Sequence, residues 1–524
     1  MRWKAHLAPS IAISLFMIAF VLAAFGPPAN AKSAELTRSQ VEAALPKLDK
    51  LAADVIKRGD VPGMAIGVVF NDQVLYLKGF GVRQLGEPDA VDPDTVFQLA
   101  SLSKPLASTA VASLVGEGIV SWDSKIIDLD SSFRLYDPYA TAQVTLRDLF
   151  SHRSGLAGDA GNDLEGLGFS QAEILRRVRY LPPAGPFRST YSYSNFGITE
   201  GGVAAAKASG MAWEDLIATR IFKPLGMTST SARYADFVAR PDHASLHAFI
   251  DGKWQPVVKR NPDAQSPAGG VSSTVRDLAN WVILQMDGGE FRGKQLIDPT
   301  ALAETHKLLI QSGGNPVTKQ PTYYGLGWGT DVEANGLHWR HSGAFSAGAR
   351  TSVDIMPDQH LGIIVLANAF PSGVPEGLTD AFYDYVFDGK QSQDWVSKWT
   401  DIFGTAFYGE FLDSAIAQYA NAPTPHTPAL PLSSYTGIYS NDYFGQAVIS
   451  EKDGRLVLAL GPDGKTVFPL THFDRDTFLY YPSEEAPNYP LPVQFTPGPA
   501  LKATQVTISG VNDSGQGVMK RVNK

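Results

Sequence analysis

The segment Asn421-Ala-Pro-Thr-Pro-His-Thr-Pro428 divides this 524-residue chain into two regions of different residue periodicity. Its prolines remove backbone donors and fix φ, so no helix or sheet runs through it. Beyond it, short alternating apolar and polar runs recur at residues 445–450, 455–460, 477–481, 493–495 and 505–509. Turns such as Lys452-Asp453-Gly454 and Pro462-Asp463-Gly464 separate them. Period-two runs punctuated in this way predict a small all-β module over residues 429–524, a barrel.

The longer region ahead of the break is mixed. Residues 32–60 carry Leu36, Val41, Leu45, Leu48, Leu51 and Val55 at helical spacing. Two β-rich runs, 63–70 and 74–77, flank Asn71-Asp72 and predict a hairpin. Three further strands are expected at 339–345, 349–355 and 361–367, with helical patterns at 101–116, 145–151 and 273–286 between. Strands at both ends with helices between them predict an α/β (α+β) domain over residues 32–390, its sheet closed by the two ends of the segment. Residues 391–428 read as a helical and Pro-rich linker.

The amino terminus reads as an export signal. Arg2 and Lys4 precede an uncharged apolar run over residues 11–25, and Ala29-Asn30-Ala31 supplies the small-x-small pattern that signal peptidases cut. The run is shorter than the roughly 20 residues of a bilayer span. Removal of residues 1–31 is therefore expected, leaving a periplasmic or secreted protein with no stable membrane insertion. With 53 acidic against 44 basic residues, the net charge of −9 disfavours nucleic acid as a partner. The chain has no cysteine, which excludes disulfides, thiolate metal sites and a cysteine nucleophile.

Among all the serines, only Ser101 has a lysine three residues on, in Phe97-Gln-Leu-Ala-Ser101-Leu-Ser-Lys104. At the start of a helix that spacing puts both side chains on one face. A serine hydroxyl is a weak nucleophile until a base takes its proton. Lysine serves as that base only when burial or nearby charge lowers its pKa. Two further triplets follow, Tyr193-Ser194-Asn195 and, on a predicted strand, His341-Ser342-Gly343. Each is weak alone, and decoys exist: Tyr419-Ala-Asn421, Tyr439-Ser-Asn441 and His360-Leu-Gly362.

Taken in order, Ser-x-x-Lys, Tyr-x-Asn and a basic-x-Gly strand resemble the serine β-lactamases and penicillin-binding proteins. In detail the chain resembles the class C β-lactamase-like serine hydrolases, a family that includes peptidases, carboxypeptidases and esterases. Connecting segments match as well: residues 144–156, 267–278, 324–328 and 365–368. The resemblance covers about residues 38–390 and implies a sheet flanked by helices with an all-helical subdomain. It also implies roles. Ser101 is acylated, Lys104 and Tyr193 share the proton transfers, and His341 is catalytic. Asn195, Ser342, Gly343 and Ala344 bind substrate, with the N–H groups of Ser101 and Ala344 as the oxyanion hole. The C-terminal module resembles the lipocalin-like domain appended to some members.

One departure matters. The usual Lys-Thr-Gly of the third triplet is His341-Ser342-Gly343 here, which points toward peptidases and esterases and away from β-lactamases. A histidine at this place is expected to titrate between about pH 5 and 8. The expected substrate is a small molecule or short peptide, cleaved through an acyl-enzyme with no cofactor and no metal. Carboxylesterase and β-lactamase activities are alternatives, and a slowly deacylating penicillin-binding sensor is one of another class. His243 and His247 lack a third ligand and read as structural, His152 as a turn residue, and Arg350 as a solvated surface arginine.

Overall fold

The computed structural model describes residues 35–256, 258–404, 416–484, 487–511 and 515–522. The expected signal segment, 1–31, lies outside them. Leu36–Lys524 forms one compact unit.

A strand that is apolar at every position needs cover on both of its faces, and this requirement organises the larger region. β1 (Gly63–Phe70) is buried at all eight residues. It pairs with β2 (Gln73–Gly81) through the expected hairpin, whose Asn71 and Asp72 have φ of 46° and 58°. Positive φ at both turn residues suits the twist of the flanking strands. The chain returns to this sheet through β3 (Ile310–Gly314), β4 (Pro321–Tyr324), β5 (Gly329–Glu333), β6 (Gly336–Phe345), β7 (Ala349–Met356) and β8 (Leu361–Ala367). The order across the sheet is β2-β1-β8-β7-β6-β5-β4-β3, antiparallel throughout. The three expected downstream strands are β6 to β8. β3, β4 and β5 went unread: the edge strand β3 is mostly exposed, and the three carry Gly313, Gly314, Pro321 and Gly329 among polar residues instead of an apolar alternation.

Six helices complete the frame: α1 (Arg38–Arg58), α2 (Ser103–Gly116), α3 (Asn162–Gly166), α4 (Asn195–Ala208), α5 (Val275–Met286) and α6 (Val374–Phe387). One face of the sheet packs Ile66, Val68, Ile363 and Val365 under α1 and α6. The opposite face packs Ala65, Val69, Ile364 and Leu366 under α2 and α5, in a core that extends through the helical layer holding α4.

Past the Pro-rich segment, nine strands form one antiparallel sheet: β9 (Gly437–Asn441), β10 (Gly445–Lys452), β11 (Arg455–Leu460), β12 (Thr466–Pro469), β13 (Thr471–Asp474), β14 (Thr477–Tyr480), β15 (Leu491–Pro497), β16 (Ala503–Ile508) and β17 (Val518–Arg521). The order is β12-β11-β10-β9-β17-β16-β15-β14-β13. Its two edge strands are separated in sequence by Leu470 alone. Edges that are neighbours in the chain roll the sheet into a nearly closed barrel. Alternate side chains fill it, among them Leu456, Leu458 and Leu460 from one strand and Val506 and Ile508 from another.

The barrel meets the helical layer through Tyr443, in the β9–β10 turn. Its hydroxyl donates to Asp163 Oδ1 (2.7 Å) and accepts from the Gly161 N–H (2.9 Å), while Arg177 Nη1 donates to its carbonyl (2.6 Å). Tyr443→Phe keeps the ring but strips both partners of their bond. It is expected to cost about 1–2 kcal/mol, read as a lower midpoint in thermal and urea unfolding; an unchanged midpoint would show that this contact adds nothing.

Candidate active site

The polypeptide turns sharply ahead of Ser101. Ala100 has φ 50°, a left-handed conformation that costs an L-residue about 1–2 kcal/mol. Ser101 follows in a single 3₁₀ turn that runs straight into α2, which puts Lys104 one turn further on the same face. β6 lies against this turn with no space to spare. A Cβ on Gly343 would sit 2.0 Å from the Leu99 carbonyl and 2.4 Å from Thr351 Oγ1, so only glycine fits. Thr351 Oγ1 donates to that same carbonyl (2.8 Å), tying β7 to the turn as well.

Lys104 is completely buried. Its Nζ lies 2.9 Å from Ser101 Oγ, 2.7 Å from Asn195 Oδ1 and 3.0 Å from the Ala268 carbonyl. Burial alone holds its pKa well below the usual lysine value, because a desolvated ammonium is costly. A neutral amine has two N–H bonds and one lone pair. Asn195 Oδ1 and the Ala268 oxygen only accept, so they take both N–H bonds, and the lone pair is left facing the Ser101 hydroxyl.

Tyr193 completes this side. Its ring centroid is 4.6 Å from Lys104 Nζ. Burial raises its pKa, with the contact to Ser101 acting in the opposite sense, and it is a neutral phenol at physiological pH. The ring rests on His152, centroids 4.4 Å apart, and His152 also meets Tyr324 (4.8 Å) and Tyr191 (5.7 Å). His152 does occupy a turn, with φ 57°, but its ring is buried and works as a support. The Ser194 N–H donates to its Nδ1 (3.0 Å), which fixes the residue after Tyr193. Burial, reinforced by Lys104 and His341, keeps this imidazole neutral.

His341 behaves differently from the sequence-based expectation. Its Nδ1 lies 2.7 Å from the Ser342 carbonyl, an acceptor, so the ring proton is there. Nε2 is then the acceptor for the Tyr324 hydroxyl, at 2.8 Å. Burial, with the nearby Lys104 as a second cause, pushes its pKa down to about 3. It therefore holds no charge between pH 5 and 8, contrary to the titration expected there.

Two other expectations change. Ser342, placed among the substrate-binding residues, directs its hydroxyl away from Ser101 to donate to Glu376 Oε1 on α6 (2.6 Å). Strand alternation puts it on the opposite face from the cleft. Arg350, read as a solvated surface residue, is 6% exposed, is paired with Glu376 and lies 3.8 Å from the Phe403 ring centroid. Together Ser342, Glu376 and Arg350 anchor β6 and β7 to α6 from behind.

A cleft of about 300 Å³ opens over Ser101, with Asn195, Ala344, Phe345 and Ser346 beside it and Asn162, Glu165, Arg260 and Gln265 opposite. Asn195 bridges the two walls, since its Nδ2 donates to Asn162 Oδ1 (3.2 Å). The opposite wall carries no sequence motif. Its residues come from α3 and from the stretch ahead of residue 266, and only the fold brings them together.

The buried neutral histidines make a pH prediction. An unfolded histidine takes up a proton near pH 6.5, whereas folded His341 resists until about pH 3. Between these values the unfolded state binds the extra proton, so stability falls as pH falls, by about 1.4 kcal/mol per pH unit for each such residue. Thermal melts from pH 6.5 to 4.5 should show a shallower decline for His341→Gln than for the native chain; parallel declines would refute the assignment.

A family model described as Beta-lactamase matches residues 48–384, and one described as a domain of unknown function matches 421–517. An "Unguisins hydrolase" of Aspergillus campestris is 26% identical over 478 residues, covering 86% of this chain and 88% of that protein. A "Beta-lactamase" of Escherichia coli is 26% identical over 349 residues, 60% of this chain and 86% of that protein. The octameric penicillin-binding protein homologue from Pyrococcus abyssi superposes with a TM-score of 0.56 at 18% identity, over 88% of this chain and 98% of that one.

Proposed function

Since this chain belongs to the Beta-lactamase family, whose model spans residues 48–384, we propose that it is an exported serine peptidase that cleaves amide bonds of short peptides through an acyl-enzyme at Ser101. The observation that carries this reading is the environment of Lys104. Two fixed acceptors occupy its N–H bonds, and its lone pair is left for the Ser101 hydroxyl.

In this mechanism Ser101 Oγ attacks the substrate carbonyl carbon while its proton passes to Lys104 Nζ. The oxygen, now negative, is held by the N–H groups of Ser101 and Ala344; donors of this kind are worth about a hundred- to a thousandfold in rate. The C–N bond then breaks, and the departing amine takes a proton delivered through Tyr193, which Lys104 replenishes. Water repeats the sequence on the ester, its proton going to the same base, and Ser101 is restored. Asn195 holds both the Lys104 amine and the substrate amide.

One observation favours a peptide over a β-lactam: burial pushes the His341 pKa down, so the third triplet presents an uncharged ring where a lysine would offer a cation to a β-lactam carboxylate.

Activity toward D- and L-peptide anilides, p-nitrophenyl esters and nitrocefin tests the reading. Ser101→Ala should abolish turnover of every substrate, and Lys104→Ala should lower kcat by about a hundred- to ten-thousandfold. Preference for the anilides supports a peptidase, and preference for nitrocefin overturns it. A single burst without steady turnover indicates a sensor, and full activity in Ser101→Ala removes the nucleophile assignment. Amino-terminal sequencing of exported protein checks for a start at Lys32.

A further inference from the structure

The wall of the cleft opposite Ser101 holds a charged group that the acylation chemistry does not use. Arg260 Nη2 donates to Glu165 Oε2, and Gln265 Nε2 donates to the same oxygen. The guanidinium lies 5.4 Å from the Phe345 ring centroid, at the end of β6. Nη2 is thus held by a carboxylate, and the guanidinium plane is steadied by an aromatic ring. Among the described residues, Nε and Nη1 have no protein partner. A guanidinium fixed in this way has lost most of its rotamer freedom before a ligand arrives.

The two charged groups differ in what they show the substrate. The Arg260 side chain is 27% exposed and that of Glu165 is 3% exposed. A ligand in the cleft therefore meets the arginine first, with the glutamate behind it. Burial raises the Glu165 pKa, and the Arg260 and Gln265 contacts act in the opposite sense. At the reacting end burial holds the Lys104 and His341 pKa values below their usual ranges, and Arg260 is the one basic side chain among the described residues lining the cleft.

Building on the peptidase reading, we infer that Arg260 is a specificity-determining residue: its free N–H groups bind a carboxylate on the acyl portion of the substrate, so the enzyme selects short acidic acyl groups. A carboxylate gains from a charge-assisted hydrogen bond to such a group. The acyl side is assigned because Asn195, the proposed holder of the substrate amide, contacts Asn162, which lines the cleft together with Arg260. The volume of the cleft, about 300 Å³, suits a short acyl group.

The test compares succinyl, butyryl and β-alanyl acyl groups, which are anionic, neutral and cationic at similar length, as p-nitrophenyl esters and as alanine p-nitroanilides. The native enzyme should favour succinyl over butyryl by about tenfold or more in kcat/KM, as expected for a paired charge. Arg260→Gln should bring that ratio close to one through KM, with kcat for the butyryl substrate within about twofold of native. Arg260→Lys, which keeps the charge and loses the fork, should fall between. A native preference for butyryl or β-alanyl overturns the inference, as does an unchanged ratio in Arg260→Gln. The esters decide this even if no anilide is cleaved, and failure of the anilides alone counts against the peptidase reading only.

Discussion

Taking an amine out of water removes the solvation that keeps it charged, and the burial of Lys104 is the constraint on which the rest of this site depends. α2 is buried along almost its whole length, so the lysine on its first turn has no route to solvent. Its polar partners must then come from the protein, and they come from separate elements: Asn195 from the start of α4 and the Ala268 carbonyl from the segment ahead of α5. Each has only acceptor capacity toward the amine, which decides where the lone pair points. A surface lysine with the same spacing from a serine would be a permanent cation with no capacity to act as a base.

The same burial accounts for the neutral ring cluster around it. Tyr193, His152, Tyr324 and His341 are packed at distances where a charge on one would disturb the others. Burial moves each toward its uncharged form. The site is thus assembled from groups that burial favours in their uncharged forms, backed by a charged layer against α6. In that layer Arg350 and Glu376 pair with each other, and Ser342 joins them, so the cost of burying ions is met by hydrogen bonds on all three.

Much of the architecture was legible along the chain. β1 and β8 are continuous apolar runs bounded by turn residues, and α1, α2 and α5 carry clear helical patterns. The hairpin at Asn71-Asp72 is set by residues that tolerate positive φ. What went unread were the edge strand β3 with β4 and β5 beside it, together with β9, β12, β13 and β17 in the barrel. These are short, and their alternation is diluted by Gly, Pro and polar residues, because an edge or a barrel strand needs apolar cover on one side at most. The turn at Ser101 was legible because Ser101 and Lys104 lie three residues apart where a 3₁₀ turn runs into α2, so their spacing survives in one dimension.

The sequence by itself picked out the candidate set, Ser101 with Lys104, Tyr193 with Asn195, and the strand with His341 and Gly343, since each group depends on local spacing. It also determined the division into a mixed region and a β region, because the Pro-rich segment admits no regular structure. The tertiary structure decided protonation and access. Whether His341 carries a charge depends on how many atoms surround it, and whether Arg350 meets solvent depends on a helix that follows it in the chain. The cleft wall opposite Ser101 is the clearest case: Glu165 and Arg260 lie almost a hundred residues apart. No spacing rule connects them, because only folding brings the two segments to one side of one cavity.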